Sequence, residues 1–316
     1  MSPRVVDETL RDGLQSPSVV DPPVARKIEL LHAMAAVGVD VVSIGLPAAG
    51  ARAESDAIAL ATEIQRSKLP LEATAAARTV EGDVVAVARV SERVGLRLVV
   101  YAFVGSSPIR QYVEGWDLGF LVRSVRLAGE TARRAGLPIC IVTEDTTRTP
   151  PATLSTLFRA AIDAGASGLC LCDTVGHASP HGTAALVEFA RRELSALGAG
   201  HVALDWHGHN DRALALTNAL AAVRSGVDRV HGTALGVGER TGNTRIDHLL
   251  HALAETGARP ASSRSALDRY NVLAAEALGC PDEVSLNPAS ARRMAASLED
   301  ERPDVLPRYP RGSLAT

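Results

Sequence analysis

"HVALDWHGHND" at residues 201–211 joins an apolar run to two histidines, an amide and an acid. The run at 201–209 has the composition of a buried β-strand, and the alanine-rich stretch at 211–225 has the spacing of an outer helix. The same order of a short apolar run and a longer amphipathic stretch recurs along the chain. This alternation decides the fold, because strands that are apolar on both faces belong to parallel sheets covered by helices.

The repeat has eight strand–helix units. The predicted strands are 3–10, 39–47, 70–77, 96–104, 137–145, 167–176, 201–209 and 228–236. The predicted helices are 23–37, 52–66, 80–94, 118–135, 151–164, 182–197, 211–225 and 246–256. Glycine ends several of these helices just before a strand, as in "VGVD", "AGLP", "AGAS" and "SGVD", which is usual for short helix-to-strand loops.

Eight such units predict a (β/α)8 TIM barrel, an α/β fold, over residues 1–257. The alternative is a doubly wound sheet, which needs fewer units and usually carries a GxGxxG turn after its first strand. This chain has "ETLRDGLQS" at that turn, so the barrel is favoured. Residues 258–316 are predicted to form a short C-terminal extension with two helices and a proline-rich tail, and no regulatory domain.

Composition argues against several classes of partner. The 316 residues carry a formal net charge of −3, which gives no basic footprint for nucleic acid. No apolar run reaches the roughly 20 residues that span a membrane, and "MSPRVVDETLRDG" has no signal-peptide features. The four cysteines form no CxxC pair, which is typical of reduced thiols. We therefore expect a cytoplasmic protein without nucleic-acid or membrane partners.

Polar side chains concentrate where the predicted strands end, which is the face of such a barrel that carries chemistry. Five of the eight strands contribute acids, bases or amides there. They are Asp7, Glu8, Arg11, Asp12 and Gln15 (strand one), Glu144, Asp145 and Arg148 (strand five), Asp173, Thr174 and His177 (strand six), Asp205, His207, His209 and Asp211 (strand seven), and Glu239, Arg240 and Asn243 (strand eight).

The spacing of His207 and His209 indicates a metal site. Residues two apart on a strand point to the same side, so both imidazoles would project into the barrel mouth. Two imidazoles with an added oxygen ligand are a common set for a divalent cation. A packed histidine beside a loop histidine is the alternative for a bare HxH. The carboxylates on neighbouring strand ends favour the metal.

Five motifs in order, "DETLRDGLQ", "EDTTR", "DTVG", "HGHND" and "GVGERTGN", resemble the DRE-TIM metallolyase superfamily. The chain is most similar to its branch of 2-isopropylmalate, homocitrate and citramalate synthases. The resemblance implies a divalent cation, Mg²⁺, Mn²⁺ or Zn²⁺, held by four residues. They are Asp12, His207, His209 and Asn243.

The resemblance also implies catalytic roles for Arg11, which would stabilise an enolate or alkoxide, and for Glu144, which would work near the acidic hydrogen. Thr174 would donate to the carboxylate of a keto acid. The other residues expected to bind substrate are Gln15, Ser43 and Arg78. Arg78 has a second interpretation as a surface residue at the start of a helix, and His231 is expected to be packed rather than ligating.

The implied activity is a Claisen-type condensation of an acyl-CoA co-substrate, acetyl-CoA above all, with a 2-keto acid, in a homodimer. Alternatives are a metal-dependent lyase or aldolase acting on a 3-hydroxy acid or 3-hydroxyacyl-CoA, and a non-catalytic barrel. Two positions depart from the synthase pattern: Ser43 stands where the synthases usually carry Glu, and Leu14 gives the "RDGLQ" form of the lyases. With no regulatory domain expected, we predict no allosteric inhibition by leucine.

Overall fold

The computed structural model describes residues 2–280. Its eight strands form one closed, wholly parallel barrel in the order in which they follow along the chain. The strands are β1 (Arg4–Asp7), β2 (Val41–Ser43), β3 (Glu72–Arg78), β4 (Val99–Gly105), β5 (Ile139–Glu144), β6 (Gly168–Asp173), β7 (Ala203–Gly208) and β8 (Arg229–Gly232). The predicted TIM barrel is confirmed, and the doubly wound alternative is wrong, because β1 pairs with both β2 and β8.

Helices surround the barrel. Their bounds are α1 (Val24–Val37), α2 (Ala51–Arg66), α3 (Glu81–Val94), α4 (Pro108–Glu114), α5 (Leu118–Arg134), α6 (Pro151–Asp163), α7 (Pro180–Ala196), α8 (Ala215–Arg224), α9 (Ile246–Glu255) and α10 (Arg264–Leu278). The core between strands and helices is aliphatic and alanine-rich, as the low aromatic content of 3% requires. No described helix is both long and apolar enough to cross a membrane.

Two helices differ from their predicted form. The helix predicted at 211–225 begins only at Ala215, because Ala213 has φ +58° and breaks the helical path. Helix α4 was not predicted, although Ser107 before Pro108 is a strong start signal and its hydroxyl caps the helix at the amide of Arg110. Both differences lie in loops that lead from the site-bearing ends of the strands.

The first helix predicted in the extension corresponds to α10, which packs against α1. The second, at residues 287–301, and the proline-rich tail lie outside the described residues. The boundary placed after residue 257 stays a prediction.

Candidate functional site

A cavity of about 480 Å³ opens at the carboxyl ends of the strands. It collects most of the residues that the sequence singles out. Those that line it include Arg11, Asp12, Gln15, Ser43, Glu144, Thr174, His207 and His209. Since they come from the ends of β1, β2, β5, β6 and β7, the parallel barrel itself brings them together.

Asp12, His207 and His209 form a tight, buried cluster. The Nε2 atoms of the two histidines lie 3.3 Å apart. Oδ2 of Asp12 lies 3.4 Å from Nε2 of His207 and 3.7 Å from Nε2 of His209. Three ligand atoms therefore converge on one point, as the spacing of His207 on β7 and His209 just after it predicts.

The charges in this cluster suit cation binding. Burial, followed by the neighbouring imidazole of His207, lowers the pKa of His209 to about 4, so its ring is neutral at pH 7. Burial opposes ionisation of Asp12, yet Arg11 and the two histidines hold its pKa well below the usual range. The cluster thus combines a neutral imidazole and a carboxylate, the protonation states that ligands require.

Asn243 completes the set from the loop after β8. Its backbone forms an isolated antiparallel β-bridge with that of His209. Its side-chain Nδ2 donates to Oδ1 of Asp12 at 2.8 Å. Its buried Oδ1 has no hydrogen-bond partner within the described residues. Gly238 allows this approach, because a Cβ there would lie 2.0 Å from Nδ2 of Asn243. A buried amide oxygen without a hydrogen-bond partner is available to coordinate a cation.

The four side chains therefore fit a divalent cation. They offer two imidazole nitrogens, one carboxylate oxygen and one amide oxygen, a mixed set compatible with Zn²⁺ or Mn²⁺ and, with added water, Mg²⁺. A second group of potential ligands, Cys170, Asp205 and His231, lies deeper in the barrel.

Arg11 lies between two carboxylates at the edge of the cluster. Its Nε donates to Oε2 of Glu8 at 2.7 Å, and its Nη1 lies 3.2 Å from Oδ2 of Asp12. Burial raises the pKa of Glu8, but Arg11 and His231 more than offset this and keep the pKa well below the usual range. The guanidinium is thus fixed beside the predicted metal ligands, facing the cavity.

Glu144, at the end of β5, lines the opposite wall. Burial raises its pKa, and the guanidinium of Arg110 on α4 only partly opposes this, with Nε 3.5 Å from Oε1. Arg110 also lines the cavity and was not predicted as part of it. The Ser107–Pro108 start signal would have located α4, but not the direction of this side chain.

The predicted substrate-binding residues divide into two groups. Gln15, Ser43 and Thr174 line the cavity, and the Thr174 hydroxyl accepts from the amide of Asp145 at 2.8 Å, which leaves its own proton free to donate. Arg78 is not among the lining residues. Its side chain is 63% exposed and pairs with Asp83 at 2.8 Å, in the position of a surface residue at a helix start.

Sequence reasoning missed much of the inner wall. Tyr101 and Phe103 of β4 and Val142 of β5 line the cavity, as do Cys170 and Cys172 of β6. His231 is packed as expected, and it also lines the cavity. Alternation along a strand identifies inward-facing residues, but it does not tell a filled layer from a cavity wall.

Comparisons with known proteins concern the family and the fold of this chain. A family model described as HMGL-like matches residues 2–278. A 2-isopropylmalate synthase of Pyrococcus abyssi is 32% identical over 256 residues, covering 79% of this chain and 50% of that protein. A second 2-isopropylmalate synthase, from Xanthomonas oryzae pv. oryzae, is 33% identical over 257 residues, covering 81% and 48%.

Among solved structures, the hydroxymethylglutaryl-CoA lyase of Pseudomonas aeruginosa superposes with a TM-score of 0.73 at 20% identity, over 95% of this chain and 98% of that one. This likeness concerns the fold alone. The chain spans about half the length of the curated relatives it matches. Relatives above 30% identity and a family match over residues 2–278 show that the chain belongs to the HMGL-like family of DRE-TIM superfamily enzymes.

Proposed function

We propose that this chain catalyses the metal-dependent Claisen-type condensation of an acyl-CoA, acetyl-CoA in the first instance, with a 2-keto acid to give a 2-alkylmalate. One observation carries the proposal: Asp12, His207 and His209 converge beside the Arg11 guanidinium at the wall of one cavity. The synthase names of the relatives above 30% identity support it.

The keto acid would bind against the four proposed ligands, Asp12, His207, His209 and Asn243. When bound, a divalent cation supplies Lewis acidity for the keto carbonyl. Arg11 would hold the oxygen on which negative charge develops, with its fork already oriented by Glu8 and Asp12. The proton of Thr174 would bond the substrate carboxylate.

The keto acid's side chain would lie against the apolar wall formed by β3, β4 and β5. Ala76, Phe103 and Val142 line this part of the cavity, and Ser43 lines it from β2. A wall with a small alanine and a serine leaves room for a side chain larger than methyl. This composition supports an aliphatic keto acid as the substrate class.

The acyl donor would reach the site through a second cavity of about 470 Å³, which shares Arg11, Gln15 and Leu46 with the first. Glu144 would hold a proton near the acyl methyl group, as its raised pKa suits a carboxyl that gains and loses a proton. In the net reaction the methyl carbon loses a proton and bonds to the keto carbon, the alkoxide gains a proton, and water releases the CoA thiol.

The test is a thiol-release screen. The purified protein, loaded in turn with Mg²⁺, Mn²⁺ or Zn²⁺, is incubated with acetyl-CoA and a panel of 2-keto acids, and products are identified by mass spectrometry. We expect thiol release that depends on the keto acid, together with a product of 2-alkylmalate mass. Arg11→Lys keeps the positive charge but loses the planar set of guanidinium donors, so kcat should fall about a hundredfold.

Arg89→Lys, at an exposed pair with Glu54, is the matched control and should leave kcat unchanged. Thiol release no faster than hydrolysis across the whole panel would refute the synthase proposal. The lyase alternative uses the same groups in reverse. Cleavage of a 3-hydroxyacyl-CoA without release of free thiol would establish it instead.

A further inference from the structure

A chain of buried charges runs through the barrel interior beneath the cavity. Its innermost residue is Asp205 on β7, which is fully buried. Oδ1 of Asp205 accepts from Nε of Arg229 at 2.7 Å, and Oδ2 accepts from the hydroxyl of Tyr101 at 2.7 Å. Both partners are themselves buried, so Asp205 is held from two sides in one position.

His231 on β8 lies between Asp205 and a second carboxylate, Glu8. Its Nε2 lies 3.3 Å from Oδ2 of Asp205. Its Nδ1 lies 3.3 Å from Oε1 of Glu8, a contact that lacks hydrogen-bond geometry. The imidazole thus separates two carboxylates that are both almost inaccessible to solvent. Its ring also packs edge-on against His207, with centroids 5.4 Å apart.

Glu8 continues the chain to the proposed catalytic machinery. One of its oxygens faces His231, and the other accepts from Nε of Arg11 at 2.7 Å. Arg11 is the one link that is partly exposed, at 21% of its side chain, and it faces the cavity. The guanidinium is therefore bonded to a carboxylate whose other oxygen contacts His231.

This arrangement differs from a second metal site, although Cys170, Asp205 and His231 bring ligand atoms close together. Both oxygens of Asp205 already accept hydrogen bonds, one of them from the guanidinium of Arg229. The positive charge that pairs with Asp205 is thus supplied by the Arg229 side chain. Metal binding there would displace that guanidinium from its 2.7 Å contact and leave it buried with only a 3.9 Å contact to Glu72.

We propose that His231 is a positioning residue which, anchored on Asp205, fixes Glu8 and through it the orientation of the Arg11 guanidinium. The kinetic part of this inference rests on the proposed function. The reason is geometric: a group that stabilises developing charge must be held within a fraction of an ångström, and its supporting contacts do this. Arg11 has a long, flexible side chain, so without Glu8 it would sample other rotamers.

The first test is a double-mutant cycle. His231→Gln keeps an amide near Asp205 but withdraws the contact with Glu8. We expect kcat to fall about tenfold or more with KM nearly unchanged, and the same substitution to cost less than about threefold in an Arg11→Lys background. His231→Asn places its amide near the position of Nδ1, so it should recover part of kcat. Circular dichroism and metal content check folding in each variant.

The second test needs no turnover. The side-chain Nε–H of Arg11 is observable by ¹H–¹⁵N NMR and is assigned by its loss in Arg11→Lys. In the wild type its bond to Glu8 should slow exchange with water, and His231→Gln should speed it. His231→Asn should restore slow exchange in part. His251→Gln, a half-buried histidine of α9 outside the cavity lining, is the matched control and should change nothing.

Non-additive effects on kcat together with faster Nε–H exchange support the proposal. Additive effects of His231→Gln and Arg11→Lys, or an Nε–H resonance that His231→Gln leaves unchanged, overturn it. If no keto acid supports turnover in the wild type, the proposed function fails. The NMR comparison still decides whether His231 positions Arg11.

Discussion

The hydroxyl of Tyr270 in α10 donates a 2.5 Å hydrogen bond to Oδ2 of Asp7 at the end of β1, across 263 residues of chain. Both residues are fully buried. The other oxygen of Asp7 accepts from the amide of Thr9 at 2.8 Å. Helix α10 is thus tied to the first strand of the barrel, next to the turn that carries Arg11 and Asp12.

Tyr270→Phe should destabilise the protein by about 1–3 kcal/mol, because a buried carboxylate loses one of its partners. The free energy of unfolding is measured by urea denaturation. Tyr112→Phe is the matched control, since the Tyr112 side chain is 89% exposed, and its effect should be near zero. Equal stabilities of the two variants would show that the bond to Asp7 contributes nothing.

The raised pKa of Asp7 predicts that the free energy of unfolding depends on pH. Burial raises its pKa to about 6, despite the opposing hydrogen bonds from Thr9 and Tyr270. Since the folded state binds this proton more tightly than the unfolded state, the stabilisation is complete below about pH 4 and lost as pH rises through about 6. Wild type should lose up to about 3 kcal/mol relative to Asp7→Asn over this range. A difference between the two proteins that is independent of pH would contradict the raised pKa.

The proposed metal ligands are tested by composition. The purified protein should bind one divalent ion per chain, and His207→Ala or His209→Ala should weaken binding by at least tenfold, because each removes a protein ligand. Metal content by mass spectrometry and affinity by calorimetry are the measurements. His201→Ala, at an exposed loop position, is the control. Wild-type metal content in both ligand variants would place the site elsewhere.

Substituting Ser43 tests how the substrate is selected. Ser43 is buried at the end of β2 and lines the cavity, at the position where the resemblance to the synthases leads us to expect Glu. A carboxylate there, at about 4 Å from a substrate's carboxylate, would cost about 4 kcal/mol at an effective dielectric of about 20. Ser43→Glu should therefore shift selectivity in the keto-acid panel toward smaller and less anionic substrates.

Ser43→Gln adds the same volume without the charge, so comparing the two variants separates repulsion from crowding. A shift with Ser43→Glu alone indicates charge, and an equal shift in both indicates size. If neither variant changes the ranking of keto acids, Ser43 has no part in selecting the substrate.

The barrel was predictable because its signal is repeated eight times, and a local error in one unit does not change the period. The predicted start of α8 was too early because Ala213 adopts a left-handed conformation, which an alanine does not lead one to expect. The convergence of Asp12, His207 and His209 followed from the topology, since parallel strands carry their carboxyl ends to one face.

The interior charges were not predictable in the same way. His231 lies on an apolar strand and reads as a packed residue. Its two carboxylate partners are Asp205 on β7 and Glu8 directly after β1, and these two strands lie on either side of β8 in the barrel. Which side chains meet across a barrel depends on strand stagger, which a one-dimensional pattern does not report. For the same reason, the sequence does not show that the Arg110 side chain points from α4 into the cavity.

The pairing of β1 with β8, Arg4 opposite Arg229 and Val5 opposite Val230, has a consequence for synthesis. A ribosome adds about 5–20 residues per second, so roughly ten to fifty seconds separate the emergence of these two strands. During that time β1 keeps an open edge with unpaired amides and carbonyls, a surface on which other chains can add. Ring closure has to wait until β8 has left the ribosomal tunnel, so this edge of β1 stays open while the other seven strands emerge.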